Sequence, residues 1–272
     1  MVDCYRLTDE ERERLDTDGY LVRTGQFTTD EVVTITRSCE ELISRLVAGR
    51  QGRRYHVGSY VFDPDALTEV TIKWEGDSDV VHGIEPFAHL SPELETWAYD
   101  ARFVEPMVDF VGHPAPVLFT EKLNLKPPYH GGPNPLHQDY PYWERLADDA
   151  TRVATAMLFL DDSNVENGTL RVVPGSHKQG TWRTRSDSDA FGNLEIDRSL
   201  DEESAAVPVE VEAGSIVYFG AFLVHKSAPN TSGKDRRALL YSYQPEGFTH
   251  ARDLIRAERE RAIAERERAS AR

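Results

Sequence analysis

The sequence predicts an α+β protein with a mainly β core, an antiparallel sandwich or barrel buttressed by helices. Three observations carry this expectation. Helical periodicity fills the N-terminal part of the chain. After Pro114 the pattern changes to short β-rich runs separated by turn residues, and 18 glycines and 15 prolines supply the turns such a core needs.

In chain order, Thr8 followed by Glu11 has the spacing of a capping box. Thr29-Asp30-Glu31 opens a second helix whose apolar stripe includes Val32, Ile35, Leu42 and Leu46. Between the two, Gly19-Tyr20-Leu21-Val22 is strand-like. Val57 to Phe62 and Val70 to Trp74 are expected as strands, Gly76 to Gly83 as a loop, and Ser91 to Val111 as helix with Leu94, Trp97, Phe103, Val104 and Val108 facing the core. The β-rich runs are Val117–Leu125, Ala154–Leu160, Thr169–Val173, Val207–Val211, Ser215–Val224 and Ala238–Tyr243. The stretch from Ala251 to Arg272 is mostly Ala, Arg and Glu, with Arg261 and Glu265 spaced for helical support, and is expected as a charged, solvated helix.

A chain of 272 residues can bury a large single core, and no Ser/Gly/Pro-rich linker divides it. One domain over 1–272 is expected: helices over about 8–112, the β core over about 115–248 and the charged helix over about 251–272. With 31 Lys and Arg against 47 Asp and Glu, the net charge of −16 disfavours nucleic acid and membrane surfaces as partners and favours a small-molecule substrate. Cys4 and Cys39 form no C-x-x-C pair, so neither a disulfide framework nor a zinc-thiolate site is indicated. No apolar stretch is long enough for a signal or membrane segment, and a cytoplasmic location is expected.

The chemistry is concentrated in Asn134-Pro135-Leu136-His137-Gln138-Asp139-Tyr140. In extended chain, residues i and i+2 share a face, so His137 and Asp139 can reach one ion. A third ligand is offered by His225, at the end of the apolar run that begins at Gly214. Two histidines and one carboxylate on one face of an octahedron leave three positions open. That suits non-haem Fe(II) oxygenases, although the same set also binds Mn(II), Co(II) or Zn(II). Arg236 follows His225 after a turn that would fold the chain back as a hairpin, bringing its guanidinium near the metal to fork onto a carboxylate. Arg237 should point to the other face, and Ser227 shares a face with His225.

On these residues the chain resembles the phytanoyl-CoA dioxygenase family of Fe(II)- and 2-oxoglutarate-dependent oxygenases. The resemblance runs through Asp18–Val22, Lys126-Pro127-Pro128, Leu136–Asp139, Asn167-Gly168-Thr169-Leu170, Pro174-Gly175-Ser176-His177 and His225-Lys226-Ser227 to Arg236. It implies a double-stranded β-helix (jelly roll), with Fe(II) on His137, Asp139 and His225, and 2-oxoglutarate and O2 as co-substrates. Arg236 and Ser227 would grip the distal carboxylate, with Lys73, Lys122, Asn124 and Thr155 as further co-substrate contacts. Thr155 departs from the tryptophan that some relatives carry there. His177 belongs to a structural turn in that family. Retention of Asp139 implies oxygenation rather than halogenation, ending in hydroxylation of an aliphatic C–H, or in desaturation, epoxidation or cyclisation. A small metabolite or natural-product intermediate is preferred as substrate. An acyl-CoA would want a basic cluster, and only Arg50, Arg53 and Arg54 form one before the tail. Tyr129, His130, Tyr140, Tyr142 and Trp143 either rim the pocket or pack the loop. A jelly-roll metalloenzyme of non-oxidative chemistry and a non-catalytic binding protein are the rival readings.

Overall fold

The computed structural model describes residues 5–50, 54–57, 60–184, 195–196 and 205–270, with the side chains of 57, 60, 259, 262–263 and 265–270 excepted. Cys4, Arg53 and the side chain of Glu265 therefore lie outside the described residues.

Helix α1 (Asp9–Asp18) starts at the Thr8/Glu11 capping box and stops at Gly19, whose left-handed φ of 83° a glycine adopts without strain. After β1 (Tyr20–Arg23), α2 (Thr29–Ala48) begins at a second box whose cap is Thr28, with Glu31 as its carboxylate. Its buried face holds Val32, Ile35, Cys39, Leu42 and Leu46. The next region differs from expectation. In place of one strand there is a hairpin, β2 (Tyr55–Val57) and β3 (Tyr60–Pro64), followed by β4 (Thr71–Trp74). The expected loop ends early in β5 (Val81–Glu85), because Val81 and Ile84 find partners on β4 and β6. The predicted 91–111 helix is two helices, α3 (Pro92–Trp97) and α4 (Ala101–Val111), divided where Asp100 caps the second.

The rest of the chain supplies β6 (Pro116–Lys126), β7 (Asn134–His137), α5 (Tyr140–Trp143), β8 (Ala154–Phe159), β9 (Leu170–Val172) and β10 (Val207–Pro208). It ends with β11 (Ile216–Gly220), β12 (His225–Ser227), β13 (Arg236–Pro245) and α6 (Ala251–Ser270). Among the described residues these strands form two antiparallel sheets. The major sheet runs β1-β11-β8-β13-β6-β5-β4-β3-β2, and the minor sheet β10-β9-β12-β7.

Period-two alternation divides the core. Ala154, Ala156 and Leu158 of β8 turn outward with Leu123, Leu239, Tyr241 and Tyr243 to meet the helices, while Met157 and Phe159 turn inward with Val217, Phe219 and Ala238. The inner face is the lumen between the sheets. The Tyr218, Tyr241 and Tyr243 hydroxyls fasten the helices by donating to the carbonyls of Arg102 (2.7 Å), Leu94 (2.6 Å) and Ala98 (2.5 Å). The C-terminal helix is less solvated than expected at its start, where Ala251 and Leu254 pack with Phe119, Val153 and Trp143.

Candidate active site

Two adjacent strands of the minor sheet carry the histidines. His225 of β12 stands opposite His137 of β7, with ring centroids 4.2 Å apart. The Nδ1–H of His137 donates to the Pro135 carbonyl at 2.7 Å, and that of His225 to the Leu223 carbonyl at 3.0 Å. Each ring is thus held with Nε2 as its free ligand atom. Asp139 does not sit in extended chain as expected. The backbone turns there into α5, with φ −75° and ψ −28°. Its Oδ1 nonetheless lies 3.7 Å from His137 Nε2 and 4.0 Å from His225 Nε2. One ligand atom from each residue falls within 4.8 Å of the others, and among the described residues this is the group of three such side chains able to hold an ion.

Gln138, between the two ligands, points the opposite way and is buried. It donates to Gly180 O (2.9 Å) and Phe222 O (2.6 Å) and accepts from Trp182 N (2.8 Å), so the bend that aims Asp139 is pinned on its far side. Burial, with His225 next in effect, lowers the His137 pKa well below its usual value, which leaves the ring a neutral lone-pair donor. Burial raises the Asp139 pKa, opposed chiefly by His225. A bound cation would offset that cost and hold the carboxylate ionised.

Arg236 reaches the lumen by a different route from the one expected. The chain makes no hairpin between His225 and Arg236: β12 pairs with β7 and β9 in the minor sheet, β13 with β6 and β8 in the major one. The turn crosses from sheet to sheet, so Arg236 faces the minor sheet across the lumen. Its side chain is 1% exposed; Nη2 donates to Gly168 O at 3.0 Å, while Nε and Nη1 have no partner. Burial pulls the guanidinium down to about 10, so it is charged at neutral pH. A buried, half-satisfied cation of this kind calls for an anion. As expected, Arg237 points away and is paired with Asp161 at 2.7 Å.

Ser227 is buried, and its Oγ accepts from Asn134 Nδ2 at 3.1 Å, which leaves the hydroxyl proton to donate. Lys73, Gly83, Asn124, Ala238 and Phe159 stand in one cross-strand row on the lumen face. Lys122 is two residues along β6 on the same face, opposite Leu240. Thr155 faces inward too, but its hydroxyl is bonded to Ser242 Oγ at 2.8 Å. His177 is no ligand: its Nε2 donates to Asp16 O at 3.1 Å and its ring lies against Gly19. The aromatic residues divide. Tyr142 stands edge-on to His137 at 5.9 Å, Tyr140 stacks on Phe222 at 4.5 Å, Trp143 packs on Phe119, and Tyr129 is exposed. A cavity of about 500 Å³ beside β7 and β12 includes the outward-facing Arg171 and Lys226, and none of the triad lines it.

Lys126 and Glu85 were missed as lumen residues. Lys126 pairs across the strands with Arg236 and donates to Ala228 O at 2.8 Å and to Gly132 O. A signal for it was present: Lys122, Asn124 and Lys126 alternate with Leu123 and Leu125, which puts all three polar residues on one face.

The phytanoyl-CoA dioxygenase (PhyH) family model matches residues 15–238. The chain belongs to the phytanoyl-CoA dioxygenase family. Among its relatives is a phytanoyl-CoA dioxygenase of Arabidopsis thaliana, 24% identical over 91% of this chain and 92% of that protein. Another is the L-proline trans-4-hydroxylase of Streptomyces griseoviridis, 29% identical over 62% of this chain and 69% of its own length. The structure of EctD from S. alaskensis with 2-oxoglutarate and 5-hydroxyectoine superposes with a TM-score of 0.69 at 21% identity, covering 90% of this chain and 78% of that one, and shows the shared fold. This phytanoyl-CoA dioxygenase family member is an Fe(II)- and 2-oxoglutarate-dependent dioxygenase. Its residues fit both groups: the His-Asp-His set suits a six-coordinate metal with open positions, and the unpartnered nitrogens of Arg236 suit a carboxylate. No helix among the described residues is long and apolar enough to cross a membrane.

Proposed function

We propose that this dioxygenase hydroxylates an aliphatic C–H bond of a small polar molecule, with Fe(II) on His137, Asp139 and His225 and the distal carboxylate of 2-oxoglutarate on Arg236 and Ser227. Iron and co-substrate, when bound, supply the oxidation: 2-oxoglutarate loses CO2 and becomes succinate, one atom of O2 entering succinate and the other the substrate. The protein's part is to bind, orient and exclude water. The carbonyls of Pro135 and Leu223 fix both imidazoles, Gln138 fixes the turn that carries Asp139, and Gly168 O aims Arg236.

The single observation that carries the reading is Arg236, wholly buried on the lumen face with two guanidinium nitrogens unpartnered. Asp139 favours oxygen insertion over halogenation, since the carboxylate holds the position a halide would take. A small substrate is supported by the relative named as a proline hydroxylase. It is supported further by the basic run at 50–54: Arg50 is buried against Asp63 at 3.2 Å, and Arg54 is paired with Asp79 at 2.6 Å. The compartment we propose is the cytoplasm, which suits Cys39 as a buried free thiol.

The test is anaerobic reconstitution with Fe(II) and 2-oxoglutarate. Wild type should develop the weak visible charge-transfer band of the iron–oxo-acid chelate and release succinate on exposure to O2. Asp139→Ala should lose the band, and Arg236→Ala should need much more 2-oxoglutarate to form it. Tight iron binding with no band would overturn the reading.

A further inference from the structure

The lumen holds a pair of opposite charges that the co-substrate does not account for. Lys122 Nζ and Glu85 Oε2 are 3.5 Å apart, with side chains 33% and 39% exposed. Both face the lumen: Lys122 alternates with Leu123 and Leu125, which turn to the helices, and Glu85 lies two residues from Gly83, the partner of Asn124. Along β13 the partner of Lys122 is Leu240 and that of Lys126 is Arg236, a separation of four residues or about 13 Å. The family resemblance implies Lys122 as a 2-oxoglutarate contact. The register of Lys122 sets it well away from Arg236.

We infer that Glu85 and Lys122 form the specificity site for the primary substrate, and that this substrate is a small zwitterion whose acid group sits on Lys122 and whose ammonium sits on Glu85. The inference rests on the proposed function of the triad. A half-exposed ion pair at this distance contributes little to the fold and is easily exchanged. A zwitterion replaces that one loose contact with two charge-assisted hydrogen bonds, made beside the apolar side chain of Leu240. An acid alone would take Lys122 and be repelled by Glu85. An amine alone would meet the reverse, and a neutral molecule would bury the pair without replacing its water. An acid group on Lys122 also relieves its repulsion of the half-buried Lys73, whose ammonium is disfavoured first by desolvation and next by Lys122.

The experiment uses the whole chain with Fe(II), 2-oxoglutarate and O2 and follows succinate release. The probes are L-proline, L-pipecolate and linear α- to γ-amino acids, each beside its matched carboxylate, amine and uncharged amide. One or more zwitterions should raise succinate release about tenfold over the substrate-free rate, and the matched singly charged and neutral compounds should not. In the double variant Glu85→Lys/Lys122→Glu an ion pair remains but its sense is reversed. An ordinary structural salt bridge would survive this unnoticed, whereas a zwitterion site should show a KM for that amino acid raised about tenfold or more. Equal stimulation by a matched acid, amine or amide, no response to any zwitterion, or an unchanged KM in the swapped variant would each overturn the assignment. A wild type with neither the visible band nor substrate-free succinate would mean that the reading of the triad has failed, and this inference falls with it. A normal band with no zwitterion response removes this inference alone.

Discussion

Lys126 shows how one side chain can couple co-substrate binding to pH. It lies across from Arg236, and burial first, then that guanidinium, bring its pKa down to about 6, with Glu75 opposing. Lys73 and His82 also feel its charge, and both have lowered pKa values. At neutral pH it is therefore largely the amine, whose two N–H bonds serve the Gly132 and Ala228 carbonyls. The sign for the empty protein follows. The unfolded chain holds this proton up to its usual value of 10.5, so between about 6 and 10.5 the unfolded state binds more protons. Stability contributed at this site rises with pH across that window and is lowest below 6. A carboxylate arriving at Arg236 raises the Lys126 pKa, so 2-oxoglutarate should bind with proton uptake and more weakly as pH rises above neutrality. Calorimetry at pH 7.5 in two buffers of different ionisation enthalpy should detect uptake approaching one proton, absent in Lys126→Met. Zero uptake in wild type would mean that Arg236 alone meets the charge. Gly168, visible in the sequence only as part of a motif, has a second residue-scale role. Its φ is 78°, and an added Cβ would clash with Ala228 O. Because its carbonyl aims Arg236, Gly168→Ala should cost about 1–3 kcal/mol of stability and raise the KM for 2-oxoglutarate more than it lowers kcat.

Between elements, the decisive contacts are the three tyrosines that dock helices on the outer face of the major sheet. Each hydroxyl donates to a helix carbonyl, a net gain of about 1 kcal/mol apiece. Tyr241→Phe/Tyr243→Phe should lower Tm by about 4–8 °C. Both residues face away from the lumen, so kcat at temperatures below unfolding should be unchanged; a fall in kcat would show that helix docking shapes the site. The elements themselves were legible to different degrees. The stripe of α2 was plain because Val32, Ile35, Leu42 and Leu46 repeat at helical spacing, β6 because its alternation is long, and β8 and β13 because their apolar runs are bounded by turn residues. The β2–β3 hairpin and β5 were not, since three to five residues carry too little pattern to separate a strand from a loop. Strand pairing was the true limit. Alternation assigns a residue its face but not the neighbour of its strand, so Arg236 was correctly placed inward while its hairpin with His225 was wrong. His225 was legible as a third ligand from its place at the end of an apolar run, but nothing local says that β7 and β12 adjoin.

The whole molecule is what makes the site. His137, Asp139, His225 and Arg236 come from segments that only the two-sheet arrangement brings together, β7 and β12 in one layer and β13 in the other. The unfolded chain cannot hold metal and co-substrate in that geometry, so both ligands bind the native state alone and must stabilise it by mass action. At about a hundredfold excess over Kd this gives about 2.7 kcal/mol per ligand. For a chain of this size each kcal/mol moves Tm by about 2–4 °C, so each saturating ligand should add about 5–10 °C. Mn(II), which avoids oxidation during the scan, is the metal to use, followed by 2-oxoglutarate on top of it. Asp139→Ala should lose the metal's increment and with it most of the co-substrate's, because the keto end has nothing left to chelate. Arg236→Ala should keep the metal's increment and lose only the second. The number of transitions carries separate information. Among the described residues the helices over about 8–112 share one apolar cluster with the sheet face they cover, so near- and far-ultraviolet circular dichroism should fall together in one step. Two steps, with ligand shifting only the later one, would instead make the helical part a unit that unfolds before the lumen opens.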